Sequence, residues 1–258
     1  MPARRPFIAG NWKMFKTLSE ARAVAEDIAG RVGGDGGPRV GIFPNAVALA
    51  AVAEAAGASV VVGAQDMHWK EEGAFTGAIS SGMILSAGAT AVLIGHSERR
   101  HVFGETDEES GKKVDRALEV GLEPVLCVGE KLQEREAGNT TAVVGRQLAA
   151  GIAGVTTADA LAKVIIAYEP VWAIGTGKTA SPAQGEEVHK FIRQELRSAF
   201  KARGGSGDEA DAVSILYGGS VKPDNAGELL AEEDIDGFLV GGASLEAGSF
   251  AAICQAAG

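Results

Sequence analysis

The stretch VIIAYEPVWAIGTGKTASP, Val164 to Pro182, holds one complete strand–loop–helix step. Its opening run of four apolar residues and a tyrosine has no polar alternation, which suits a strand buried on both faces in a parallel sheet. The run ends in an acid, Glu169, followed at once by Pro170 and the glycine-bearing loop AIGTGK. Ser181, Pro182 and Gln184 then supply an N-cap, a proline at the first helical position and a third-position amide reaching back. Val188, Phe191, Ile192, Leu196 and Phe200 mark the apolar stripe of the helix that follows.

The same step recurs along the chain. The other apolar runs are FIAG from Phe7, RVGIF from Arg39, SVVVGA from Ser59, AVLIG from Ala91, PVLCVG from Pro124, VSILYGG from Val213 and GFLVGG from Gly237. Helical segments lie between them. Thr17 and Glu20 form a capping box ahead of Ala21, Val24, Ala25 and Ile28, and Asp224 or Asn225 is the cap of the segment after the seventh run. Eight βα units without a composition break predict a single α/β domain over residues 1–258, a closed (β/α)8 TIM barrel with eight parallel strands. A doubly wound open sheet is the competing arrangement. GGDGGPR, Gly33 to Arg39, and RGGSGDEAD from Arg203 read as loops on the bottom face.

The 258 residues are 46% hydrophobic and 22% charged, with a formal charge of -10. No basic stripe offers a nucleic-acid surface, and no apolar run approaches a membrane span. Two cysteines, Cys127 and Cys254, are too few for a disulfide framework, and the N-terminal residues contain no secretory h-region. The expectation is a cytoplasmic protein, in which the acceptor-like Asn139 triplet is chemically idle.

In a barrel of this kind chemistry collects at the C-terminal ends of the strands. Strand one ends in GNWK, strand four in GHSERR, strand six in YEPVW, and strands seven and eight in YGGS and VGGAS. Lys13, His96 and Glu169 therefore point at one mouth, flanked by two Gly-Gly pairs. Each has an ordinary explanation: a solvated lysine, a satisfied histidine, an acid paired with an arginine, tight turns. An unpartnered acid at the end of a buried strand is costly, however, and the coincidence at one rim favours a site. GTGKTA imitates a dinucleotide-binding pattern, but EPVWAI separates it from its strand, and GKT lacks the upstream glycine of a P-loop. His96 and His101 have no third ligand nearby, so no metal is expected. His68 and His189 read as ordinary loop and helix-surface residues.

GNWKM, IGHSERR, AYEPVWAIGTGKTA, YGGSVKPDN and DGFLVGGASL, in this order from Asn11 to Leu245, resemble the triosephosphate isomerases. The resemblance implies interconversion of dihydroxyacetone phosphate and D-glyceraldehyde 3-phosphate, in glycolysis and gluconeogenesis, with no metal or organic cofactor. It implies Glu169 as the base, His96 as the electrophile, Lys13 as the stabiliser of the enediolate and Asn11 as a positioner of the substrate oxygen. Gly175, Ser220, Gly241 and Gly242 would give backbone N–H groups to the phosphate, with Glu98 as a further acid beside the lysine. Pro170-Val171-Trp172 and Lys178-Thr179-Ala180 resemble the hinges of a lid whose tip is AIGTG.

Residues 63–80, GAQDMHWKEEGAFTGAIS, resemble the long loop by which members of the family form homodimers. A loop of this length with exposed Trp69 and Phe75 needs a partner surface. Ala78 stands where the family usually has a glutamate that pairs with the arginine matching Arg99, and Phe15 replaces the commoner asparagine. Two rival functions share the fold: another barrel sugar-phosphate isomerase or epimerase, and a non-catalytic phosphate-binding relative. The first usually wants a metal or two opposed carboxylates; the intact Lys13, His96 and Glu169 set argues against the second.

Overall fold

The computed structural model describes residues 4–32, 36–174 and 180–258. The eight apolar runs form β1 (Phe7–Asn11), β2 (Arg39–Phe43), β3 (Val61–Ala64), β4 (Ala91–Ile94), β5 (Glu123–Val128), β6 (Ile165–Tyr168), β7 (Ile215–Tyr217) and β8 (Gly237–Val240). Each strand pairs in parallel with the next, and β1 pairs with β8 from Phe7↔Gly237 to Gly10↔Val240. The sheet is therefore a closed barrel without edges, which settles the choice against an open doubly wound sheet.

Alternation along the strands separates two apolar layers. Phe7, Ala9, Leu93, Val125, Cys127, Ile165, Ala167, Leu216 and Leu239 fill the barrel. Their strand neighbours Ile8, Val92, Leu126, Ile166, Ile215 and Phe238 pack outward with helix residues such as Ile28, Ile192 and Phe250. Both faces are buried, so the strands need no polar alternation. Both thiols lie buried and unpaired, and burial pushes that of Cys254 up to about 12. Among the described residues no helix is long and apolar enough to cross a membrane.

The cap of the helix Pro182–Ala202 is complete: Ser181 Oγ accepts from the Gln184 N–H, and Gln184 Oε1 accepts from the Ser181 N–H. At Thr17 the backbone N–H donates to Glu20 Oε2 at 2.7 Å. Asn225 occupies the N-cap of the helix Ala226–Leu230, but its side chain does not cap it. Its Oδ1 instead accepts from the Lys222 N–H and its Nδ2 donates to the Ser220 carbonyl, which closes the preceding loop. RGGSGDEAD is not loop throughout, because Asp208–Ala212 form a 3-10 turn. Residues 33–35 of the other bottom-face stretch lie outside the described residues.

His189 is not a surface residue. The helix turns it inward, where it is fully buried between the rings of Tyr168 and Tyr217. Its Nδ1 lies 3.1 Å from the Asp234 carbonyl, which can only accept, so Nδ1 carries the proton. Burial, opposed by that carbonyl, pushes its pKa down to about 4. A histidine ordinarily titrates near 6.5, so the unfolded chain takes up a proton that the folded chain refuses. Stability is full above about pH 6.5 and declines as pH falls to about 4, by an amount on the order of 3 kcal/mol. His189→Asn keeps a donor toward Asp234 and cannot titrate; its urea-unfolding midpoint should depend less on pH across that window than the wild type's. An equal slope in both proteins would assign the acid sensitivity elsewhere.

Candidate active site

Asn11 ends β1, and Glu169 follows β6, at positions that continue the inward alternation of Phe7 and Ala9 and of Ile165 and Ala167. The same parity at β5 and β7 falls on Gly129 and Gly218. A Cβ on Gly129 would lie 1.8 Å from the Glu169 carbonyl, and one on Gly218 would lie 2.9 Å from Glu169 Cγ. Glycine at these two positions is what makes room for the acid.

The structure brings Asn11, Lys13, His96 and Glu169 together with Ser220, Gly241 and Gly242 around one cavity of about 360 Å³. Gly175, the remaining phosphate candidate, lies outside the described residues, as do Lys178 and Thr179 of the second lid hinge. Val171 and Trp172 of the first expected hinge lie in a 3-10 turn, Val171–Ala173.

Glu169 is buried, and its partners compensate it. Oε1 lies 2.9 Å from His96 Nε2, while Oε2 accepts the Ser97 N–H at 2.8 Å. Burial would raise the carboxyl's pKa, but His96 and the Ser97 N–H hold it below the ordinary value. The acid therefore rests ionised, docked on its donors. Burial likewise opposes a charge on His96, and the Glu169 carboxylate beside it overcomes that and moves its pKa upward. Geometry decides which form rests here. His96 Nδ1 accepts the Glu98 N–H at 3.2 Å, so the site for a second proton is already occupied by a donor. The ring is neutral, with its proton on Nε2 toward Glu169.

Lys13 sits at φ +49, a left-handed backbone conformation unusual for a residue with a side chain. Its N–H donates to Asn11 Oδ1 at 2.9 Å and its carbonyl accepts from Gln65 Nε2 at 2.8 Å, which holds that conformation in place. The ammonium meets Glu98 Oε1 at 2.6 Å, and the stem passes beside Gly241. Three charged or polar heads thus face one space from β1, β4 and β6.

Sequence reasoning missed parts of this arrangement. Glu130 is fully buried and holds the start of the segment after β6: it accepts from Trp172 Nε1 at 2.9 Å and from the Tyr168 hydroxyl at 3.1 Å. Its sole signal in the chain was an acid just past a buried strand, the feature already singled out at Glu169. Lys222 and Phe15 also line the cavity. A second space of about 700 Å³ lies across Lys13 and His96, walled by residues 64–69, 77–79 and 103–105. Trp69 is not freely exposed there, since His68 stacks on it at 4.2 Å and Lys112 lies 5.6 Å from its ring.

Comparison with known proteins agrees with the geometry. The family model described as triosephosphate isomerase matches residues 6–257. A triosephosphate isomerase of Citrifermentans bemidjiense is 53% identical over 253 residues, 98% of each chain. One from Carboxydothermus hydrogenoformans is 51% identical over 253 residues, again 98% of each. One from Roseiflexus sp. is 50% identical over 248 residues, 96% of this chain and 95% of its own. With a closed parallel barrel, a carboxylate and an imidazole in contact at its mouth, and relatives matched along nearly their whole length, the chain belongs to the triosephosphate isomerase family.

Proposed function

We propose that Glu169, His96 and Lys13 carry out the family's reaction, the interconversion of dihydroxyacetone phosphate and D-glyceraldehyde 3-phosphate, around a single bound triose. The observation that carries this reading is the 2.9 Å contact of His96 Nε2 with Glu169 Oε1 on the wall of a cavity that Lys13 also enters. A hydrogen next to a carbonyl is weakly acidic, so its removal needs a base and a donor to the oxygen that becomes negative. Glu169 takes the proton from one carbon and returns it to the next. His96 donates from Nε2 to the carbonyl oxygen, and the Lys13 ammonium faces the enediolate. Asn11 orients that oxygen.

The resting contacts explain how a carboxylate with a depressed pKa becomes a base. Once substrate oxygen takes the His96 proton, Glu169 loses a donor, and closure over the cavity removes water. Both changes raise its basicity when the substrate is in place. Ser220, Gly241 and Gly242, with Gly175 from the lid, bind the phosphate at the far end of the triose, so acid and phosphate do not meet. The test is carbon–hydrogen exchange in heavy water: the wild-type protein incorporates solvent deuterium into the triose, and Glu169→Gln does so orders of magnitude more slowly.

We also propose a homodimer formed through residues 63–80. Met14 (94% exposed) and Phe103 line the 700 Å³ space, and Val47 (85% exposed), Phe75 and Val102 are also apolar and exposed, a surface composition that favours a protein partner. Ala78 removes an ionic partner from this face, and Arg99 pairs within its own chain with Asp66 at 3.0 Å and Glu105 at 3.3 Å. Equilibrium sedimentation at micromolar concentration should show a dimer; monomer alone would remove this proposal.

A further inference from the structure

Among the described residues, two without a glycine's freedom adopt positive φ, and both are lysines of the loop after β1: Lys13 at +49 and Lys16 at +72. Such a backbone costs free energy and persists only where its surroundings impose it. For Lys13 the return is visible in the catalytic cavity. Lys16 is absent from that cavity's wall and has a different destination. Asn45 Nδ2 holds its carbonyl and that of Phe15, each at 2.9 Å. Its stem crosses the fully buried Trp12 ring, with the ammonium 5.5 Å from the centroid. Nζ then donates to the Leu245 carbonyl at 2.6 Å.

Leu245 ends the 3-10 turn Gly242–Leu245, and such a final carbonyl has no N–H of its own turn left to satisfy it. The opposite end of the turn is held at the Gly241 carbonyl, which accepts from the Ser244 N–H at 2.9 Å and from Ser244 Oγ at 2.7 Å. The turn that presents the Gly241 and Gly242 amides is thus pinned at both ends, one end by a charge-assisted bond from a different loop.

We propose that Lys16 is a positioning residue for phosphate recognition, locking from behind the turn whose front amides face the triose phosphate. This rests on the reading of Gly241 and Gly242 as phosphate donors. Lys16 does not touch substrate. It fixes the direction of the N–H groups that do, and it ties them to the loop that carries Lys13, so both ends of the substrate are gripped from one strained segment.

The test compares Lys16→Met, which keeps the stem over Trp12 and loses the donor, with Lys16→Arg, which restores a donor. Three quantities are measured: KM for glyceraldehyde 3-phosphate, inhibition by inorganic phosphate, and kcat/KM for phosphate-free D-glyceraldehyde. Lys16→Met should raise KM and the phosphate inhibition constant by about tenfold, the scale of one charge-assisted bond. Turnover of D-glyceraldehyde should stay at the wild-type level, and Lys16→Arg should recover most of the loss. An unchanged phosphate inhibition constant, or an equal loss with D-glyceraldehyde, would overturn the proposal. Gly242→Val separates the two layers, since Gly242 lines the cavity and a Cβ there meets no atom within 4 Å, so the fold accepts the side chain. If Gly242→Val leaves phosphate inhibition unchanged, the phosphate reading itself falls. If it abolishes inhibition while Lys16→Met does not weaken it, only the role of Lys16 falls.

Discussion

Glu169→Gln protein exchanges the carbon-bound hydrogen of its substrate with heavy water about 10³–10⁴-fold more slowly than the wild type, the scale of a lost general base. The substitution conserves volume, so the cramped surroundings set by Gly129 and Gly218 still accept the side chain. It changes the chemistry on two counts. An amide has no useful basicity, and its NH2 must face either the His96 Nε2–H or the Ser97 N–H, both of which are donors. The second effect is a buried mismatch costing about 1–3 kcal/mol of stability, far less than the fold requires to collapse. Rate and stability therefore separate. The acid dependence should change as well. With its pKa depressed in the folded protein, Glu169 contributes stability above the ordinary carboxylate range and loses it as pH falls through the folded value. The glutamine variant lacks that part of the acid limb. Exchange within tenfold of wild type would remove Glu169 as the base.

Lys13→Met lowers kcat/KM by about 10²–10³-fold, the loss expected for one preorganised electrostatic donor. Methionine is unbranched like lysine, and the loop is held by backbone bonds to Asn11 Oδ1 and from Gln65 Nε2, so the left-handed turn survives. What disappears is a positive charge at the mouth of a protein carrying -10 overall, into which a phosphate dianion must enter. There is a second consequence. Lys13 opposes the imidazolium form of His96 while Glu98 and Glu169 favour it. Without the ammonium the pKa of His96 rises further, and a reaction that needs the neutral ring loses rate at higher pH. The acid limb of kcat/KM should therefore move upward in pH. A fall of less than threefold with an unmoved limb would show that Lys13 is a surface charge.

The barrel was legible because its strands are buried on both faces. Eight short β-branched runs with no polar alternation leave few arrangements other than a parallel sheet covered by helices, and capped helices between them supply the cover. Glu169 was legible for a related reason: an acid closing a run such as VIIAY has no solvent to turn to. Glu130 has the same character after PVLCVG, but only contact with Trp172 and Tyr168 reveals what it holds. Periodicity failed at His189 because a neutral imidazole packs as an aromatic ring, while the Asn225 side chain closes its own loop instead of capping.

Local sequence alone determined the strands, the Ser181–Gln184 cap, the wide apolar stripe and the placement of Lys13, His96 and Glu169 just past strand ends, because each depends on residues within a few positions of one another. Tertiary structure decided the rest. The aim of His96 Nε2 at Glu169, the docked carboxylate of Glu169 and the reach of Lys16 to Leu245 join residues 72 to 229 positions apart. Proton positions and hydrogen-bond directions follow from which donor arrives at which atom across the barrel mouth, and no pattern along the chain encodes that encounter.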